Sequence, residues 1–153
     1  MSCFETVTHI NAPPQLAFDL SMDVDVHTAS MADSAERVVA GVTAGRMELG
    51  DTVTWDARHF GLRWRMTSRI SILDRPGHFV DEQVSGPFKH WHHAHYFEPD
   101  GGEGTVMRDV IDYAAPLGLL GRVVESAVLD RYMRRLISTR NRHLKAAAEA
   151  AGV

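Results

Sequence analysis

Cysteine is nearly absent. Cys3 stands alone among 153 residues, which excludes an internal disulfide and fits a reducing compartment. Long apolar runs are missing too: no segment approaches the roughly 18 consecutive apolar residues that a membrane span needs. The opening MSCFETVTHINAPP carries neither the basic stretch nor the long apolar stretch of a secretory signal. A cytoplasmic location without stable membrane insertion is therefore expected. Positive charge is in short supply, with 16 Lys and Arg against 20 Asp and Glu and a net charge of −4. That balance lacks the basic footprint of a nucleic-acid partner, and none is expected. No serine occupies a Gly-x-Ser-x-Gly elbow, and no glycine-rich phosphate loop is present; no cofactor is expected. What remains is 44% apolar and 24% charged, the composition of an ordinary globular chain. Its length predicts one domain over residues 1–153.

Histidine is the residue present in force. Four of the nine fall within the stretch GPFKHWHHAHYF, at His90, His92, His93 and His95. Whether they hold a metal, run a reaction or line a pocket depends on which way each side chain points, and that depends on secondary structure.

Phe4 to Ile10 alternates loosely and contains Thr and Val, which predicts a strand. Asn11-Ala12-Pro13-Pro14 ends it, and a proline suits the first position of a helix with Leu16, Ala17 and Leu20 as its apolar stripe. A second short helix is expected from about Val24 to Met31. From Glu36 to Phe97 the period changes to two, punctuated at Gly45, Leu49-Gly50-Asp51, Gly61, Arg75-Pro76-Gly77 and Gly86-Pro87. Such spacing predicts an antiparallel meander. A further strand runs from Thr105 to Ala114 after the loop Glu98 to Gly104. Beyond Pro116 the chain reads as helix to about Ala150. Its stripe is broken: Leu120, Val123, Val124 and Ala127 share one face, whereas Met133, Leu136, Ile137 and Leu144 share another. Arg140, Arg142, His143 and Lys145 are placed at its negative end. The whole is an α+β arrangement in which the long helix closes over one face of an antiparallel sheet.

Parity assigns the inner side chains. A two-residue turn at Gly61-Leu62 pairs His59 with Trp64, Ala57 with Met66 and Trp55 with Ser68. One face then carries Trp55, Ala57, His59, Trp64, Met66, Ile70 and Ile72, and the other Asp56, Arg58, Arg63, Arg65, Thr67 and Arg69. Any turn of even length gives the same split. In the histidine strand, His90 and His92 point one way and Trp91, His93, His95 and Phe97 the other, the second face being inner because of Trp91 and Phe97. Pairing Phe97 with Thr105 sets His95 against Met107 and His93 against Asp109, a carboxylate beside an inward imidazole. Asp81, alternating with Phe79, is a further inward candidate, although a bulge at Gly86-Pro87 would reset its phase.

His-x-His on a strand with a third imidazole is a donor set of catalytic zinc, and His59, His93 and His95 would supply it. His59, however, lies two strands away, with strands near 4.8 Å apart. A pocket with a few polar groups in an aromatic wall is the preferred reading, and no metal is expected.

The ordered set Ile10-Asn11-Ala12-Pro13, Gly50-Asp51-Thr52-Val53-Thr54-Trp55, His59-Phe60-Gly61, Phe79-Val80-Asp81-Glu82, Gly86-Pro87-Phe88, Trp91-x-His93-x-His95-x-Phe97, Thr105 to Asp109 and Tyr113-x-x-Pro116 resembles the START-like, helix-grip (SRPBCC) superfamily. Within it, the chain is similar to the small bacterial polyketide cyclase/dehydrase or ligand-binding proteins. The resemblance implies a seven-stranded antiparallel sheet wrapped round a long C-terminal helix, enclosing a cavity for a hydrophobic or amphipathic small molecule. It carries no established catalytic set onto these residues, and fold alone does not confer a reaction.

Two functional readings follow. The first is a binding module whose pocket is lined by Trp55, Trp64, Met66, Asp81, Trp91, Phe97 and Met107, with His59, His93 and His95 orienting a polar end. The second is a cyclase or dehydratase in which a His93/Asp109 pair acts as general base beside a carbonyl. The first is favoured. A protein-interaction role for the arginine-bearing face, and homodimerisation, are left open.

Overall fold

The computed structural model describes residues 2–115 and 123–152. Its elements are β1 (Ser2–Ile10), α1 (Pro14–Ser21), α2 (Val24–Ser30), β2 (Arg37–Gly41), β3 (Thr52–His59), β4 (Leu62–Asp74), β5 (His78–Ser85), β6 (His90–Pro99), β7 (Thr105–Ala114) and α3 (Val123–Ala151). A short 3-10 turn at Ala32–Ser34, unsignalled in the sequence, links α2 to β2. The strands form one antiparallel sheet in the order β1-β7-β6-β5-β4-β3-β2. β2 to β7 are a meander, and β1 returns to pair with β7 in unbroken register from Ser2↔Tyr113 to Ile10↔Thr105.

Local chemistry accounts for the helix starts. Pro14 opens α1 after Pro13, where the missing N–H has no intrahelical use. Asp23 caps α2 by accepting from the backbone N–H of Asp25 and Val26. On α1 Ala17 and Phe18 are both fully buried, with Leu16 and Leu20 partly buried against the same cluster; Phe18 is an addition to the expected stripe of Leu16, Ala17 and Leu20.

The β3–β4 turn is Phe60-Gly61, one residue earlier than expected. Both residues have positive φ, 54° and 74°, as a two-residue turn matched to strand twist requires. Ala57 therefore faces Trp64 and Trp55 faces Met66. The register moves by two, so the parity of every side chain survives. The outer face is tied as expected for charged residues in water: Asp56 accepts from Arg63 at 3.0 Å and from Arg65 at 3.2 Å.

One inner residue is displaced. Ile70 pairs with Asp81 and Ile72 with Val80, with Ser71 as the extra residue of a bulge. Past the bulge the phase flips, leaving Ile72 45% exposed while Ile70 is buried, and Leu73 packs inward in its place.

The described core has two apolar clusters. One gathers Ile10, Phe18, Met22, Ile70, Phe97, Met107 and Leu144. The other gathers Phe4, Trp91, Ile111, Tyr113, Leu129, Met133 and Ile137. α3 joins both through Leu129, Met133, Ile137, Leu144 and Ala148, all buried, a single stripe at helical spacing. Of the first expected face only Ala127 lies among the described side chains, and it is exposed; Leu120 and the side chains of Val123 and Val124 lie outside the described residues. α3 packs against β1, α1 and α2, so space remains between it and β3 to β6. Among the described residues no helix is long and apolar enough to cross a membrane.

The bulge predicts opposite outcomes for neighbouring isoleucines. Ile70→Ala should destabilise by about 2–5 kcal/mol, whereas Ile72→Ala should stay within about 0.5 kcal/mol, as read by urea denaturation. Equal losses would mean that the inner face runs straight through Ser71.

Candidate functional site

The site grows from two neighbouring strands of opposite chemistry. On β6, alternation sends Trp91, His93, His95 and Phe97 inward, and on β7 it sends Met107, Asp109 and Ile111 inward; all seven are buried. Phe97 pairs with Met107, His95 with Asp109 and His93 with Ile111. This corrects the expected pairing of Phe97 with Thr105. β6 continues to Pro99, and the loop shrinks to Asp100–Gly104, where the Asp100 side chain accepts from the Gly102 and Gly104 N–H groups. The shift is again by two, so Asp109 stays on the imidazole face. It now sits opposite His95 and diagonal to His93.

Asp109 touches both rings. His93 Nε2 lies 2.8 Å from Asp109 Oδ1, and His95 Nδ1 lies 3.1 Å from the same oxygen, at an angle that makes no hydrogen bond, so this buried nitrogen is left unpartnered. Asp81 approaches the other edges of the same rings. Its Oδ2 is 2.8 Å from His95 Nε2 and 3.8 Å from His93 Nδ1, while its Oδ1 accepts from the Trp91 indole N–H at 3.2 Å. The two imidazoles stack with centroids 3.7 Å apart, and Phe79 stacks on the far side of His95 at 4.0 Å. Two stacked rings, inclined by 28°, thus lie between two carboxylates.

Burial opposes charge throughout this cluster, and contacts decide the outcome. Burial pushes the Asp109 carboxyl up, yet the His93 hydrogen bond and the close approach of the His95 ring outweigh it and hold Asp109 well below the ordinary carboxylate range. Asp81 is likewise held low: burial raises it, and the His95 hydrogen bond with the two imidazole charges lowers it further. Burial, reinforced by the neighbouring His95 charge, lowers His93 to about 4 despite its bond to Asp109.

The helix completes the shell. Asn141 donates to Asp109 Oδ2 at 2.8 Å and to the Thr6 hydroxyl at 3.3 Å. Arg140 is 3.5 Å from Asp109 Oδ1 and donates to Asn141 Oδ1 at 2.9 Å. Arg140 and Asn141 fall between Ile137 and Leu144 on the buried stripe. The expectation that Arg140 serves the negative helix end is therefore corrected: α3 runs on to Ala151, and its last turn holds no basic residue. Sequence reading missed both side chains, although two polar residues at stripe positions were the signal.

Between the sheet and α3 lies a cavity of about 230 Å³. Of the residues expected at a ligand site, Trp55, His59, Trp64 and Met66 line it from β3 and β4, and Asp81, Trp91, His93 and His95 from β5 and β6. Phe97 and Met107 do not; they sit in the first core cluster, beyond His95 and Asp109. Asp81, uncertain in the sequence, faces inward. His59 is separated from His93 and His95 by β4 and β5, two intervening strands rather than the one expected. Its Nδ1 is 2.6 Å from the Tyr132 hydroxyl of α3, so His59 stands apart from the other two imidazoles. Burial lowers its pKa below 6.5. Sequence reading also missed His27 and Glu36, joined at 2.7 Å, with His27 against the Trp55 ring; both line the cavity.

The polyketide cyclase / dehydrase and lipid transport family matches residues 1–149. Solved structures with the same fold include a protein from Thermus thermophilus, 19% identical with TM-score 0.81, covering 99% of this chain and 100% of that one. The Zhui aromatase/cyclase from a Streptomyces species is 18% identical with TM-score 0.79, covering 99% of each chain. A START superfamily protein from Mycobacterium smegmatis is 12% identical with TM-score 0.71, covering 97% of this chain and 98% of that one. No curated protein matches the chain in sequence.

Two outcomes test this geometry. Arg140→Ala, which removes a buried cation from an ionised partner, should cost about 3–5 kcal/mol, while Arg142→Ala, at an exposed position, should cost under about 0.5 kcal/mol; similar losses would return Arg140 to the surface. Because folding lowers the His59 pKa from 6.5, the stability tied to its neutral form is complete above that pH. It is lost as pH falls through 6.5 toward the folded value. His59→Gln should therefore flatten the decline in stability between neutral pH and about pH 5, measured by denaturation at each pH. An unchanged slope would place the imidazole in water.

Proposed function

The chain belongs to the polyketide cyclase/dehydrase and lipid transport family, and we propose that it binds one small hydrophobic or amphipathic molecule in the cavity between the sheet and α3. The observation that carries this reading is the wall: the chain's three tryptophans, Trp55, Trp64 and Trp91, all border the same space. Met66, Leu136 and Ile137 extend that apolar surface. Few polar groups interrupt it, which is the usual make-up of a small-molecule site. The apolar part of the ligand lies against the indoles, and its polar end meets His59, Asp81, His93 or His95.

A second reading, proton abstraction next to a carbonyl by His93 with Asp109, draws support from their 2.8 Å contact. Binding without turnover is the better supported. Nε2 of His93 is committed to Asp109, and the nitrogen left to accept a proton, Nδ1, faces the Asp81 carboxylate at 3.8 Å, a setting that suits a cation or a donor better than a carbonyl substrate. Family membership is compatible with both.

The tryptophans make the test direct. Titration with a long-chain fatty acid and with a polycyclic phenol should produce a saturable change in intrinsic emission for at least one of them. Ala57→Phe, filling the cavity from a buried position on β3, should abolish that change with the circular dichroism intact. An emission change that persists in Ala57→Phe would move binding elsewhere. Turnover of a polyketide-like carbonyl substrate, lost in His93→Gln, would promote the second reading.

A further inference from the structure

We propose that Asp81, His93 and His95 form a binding site for one divalent transition-metal ion, of the zinc or iron(II) type, opening into the cavity. The site is independent of the identity of the organic ligand and draws on different residues from the triad that the sequence suggested, with Asp81 in the place of His59.

Three observations converge. First, the donor atoms are together: one carboxylate oxygen of Asp81 and one ring nitrogen from each of His93 and His95 all lie within 4.8 Å of one another. Asp81 Oδ2 is 2.8 Å from His95 Nε2 and 3.8 Å from His93 Nδ1. Ligands held at about 2.0–2.2 Å from a common ion lie about 2.8–3.6 Å apart, so small rotations of side chains already in place create the site. Two imidazoles and one carboxylate with open positions form the set used by non-haem iron(II) and by catalytic zinc.

Second, the supporting groups are present. A metal-bound histidine ordinarily presents its other ring nitrogen to a carboxylate, which fixes the ring and strengthens the ligand. Here both rings turn that second nitrogen toward one oxygen of Asp109, at 2.8 Å for His93 and 3.1 Å for His95. Asn141 and Arg140 hold Asp109 from α3, and the Trp91 N–H holds Asp81 Oδ1, leaving Oδ2 for the ion.

Third, the ring of His95 is 2% exposed and its buried Nδ1 has no hydrogen-bond partner. With a proton on Nε2 toward Asp81, that nitrogen aims a lone pair at the Asp109 carboxylate, an unfavourable opposition in a buried site. A cation on Nε2 reverses the arrangement: Nδ1 then carries the proton and faces a carboxylate. The same exchange suits His93, whose Nε2–H is donated to Asp109 while Nδ1 is left for the ion. All three ligands line the cavity, so the remaining coordination positions point at whatever occupies it.

The test uses the full chain, stripped with EDTA and dialysed against zinc or cobalt(II) at micromolar free metal. Metal content is read by native mass spectrometry, and the cobalt form by its visible absorption. One ion per chain is expected, with cobalt bands of a low-coordinate nitrogen/oxygen site. Affinity should fall by at least about 100-fold in Asp81→Asn and His95→Gln and by about 10–100-fold in Asp109→Asn. A double variant at His90 and His92, which stack on the outer face, should bind normally. Asp81→Asn keeps the side-chain shape at a half-buried position, so it reports even where a histidine variant fails to fold. The proposal is overturned by absence of stoichiometric metal in the parent protein. It is equally overturned by binding that survives Asp81→Asn and His95→Gln but disappears with His90 and His92, which would mean an adventitious surface ion. Repeating the tryptophan titration with EDTA present separates this result from cavity binding, since the indoles report on the organic ligand with or without an ion.

Discussion

Asp109 has no exposed surface, and an ionised carboxylate so placed is tolerated only when donors surround it. Much of the interior is arranged around that requirement. β6 supplies two imidazoles, β1 supplies Thr6 to hold Asn141, and α3 supplies Asn141 and Arg140. The polar layer lies between the two apolar clusters: Met107, Phe97 and Leu144 on one side, and Ile111, Trp91 and Ile137 on the other. Along β6, β7 and α3 the order is the same, apolar, polar, apolar. A slip of α3 by one turn would set Ile137 or Leu144 against Asp109 and leave the carboxylate buried without partners. The layer therefore fixes the seating of the helix more narrowly than apolar packing does, because apolar surfaces are forgiving of small slides and hydrogen bonds are not.

That seating also accounts for the cavity. With α3 held near β1 and β7, its Leu136 and Tyr132 stand across from β3 and β4 without filling the intervening space. The His59–Tyr132 bond spans it from the sheet to the helix. Phe60, held at positive φ in the β3–β4 turn, lays its ring against Tyr132 at 4.5 Å. The turn that sets the strand register thus also contributes Phe60 to the cavity lining. Fold and site share parts, and the family match runs over residues 1–149 rather than resting on any single motif.

Much of this was legible because strands have a period of two. The inward set Trp55, His59, Trp64, Met66, Trp91, His93 and His95 follows from alternation alone, and it survived two register errors because each was a shift of two residues. Ile72 was misplaced for the complementary reason: a bulge at Ser71 changes the count by one, and one residue is enough to reverse a face. Phe97 and Met107 were correctly inward yet belong to the core, since parity tells which side a residue faces and not how far along the strand the helix lies. In α3 the apolar stripe is interrupted by Arg140 and Asn141, and helical spacing alone does not tell that a buried carboxylate on β7 receives them.

The sequence by itself determined the order of elements, the two faces of each strand and the presence of a carboxylate among inward histidines. These are consequences of local periodicity and of turn residues that act within a few positions. Only the tertiary structure decided that Asp81 would join His93 and His95 while His59 would not, and that Asp109 would be met by Arg140 and Asn141 from more than thirty residues away. Contacts of that kind depend on sheet curvature and on where a helix comes to rest, and no short stretch of chain records either.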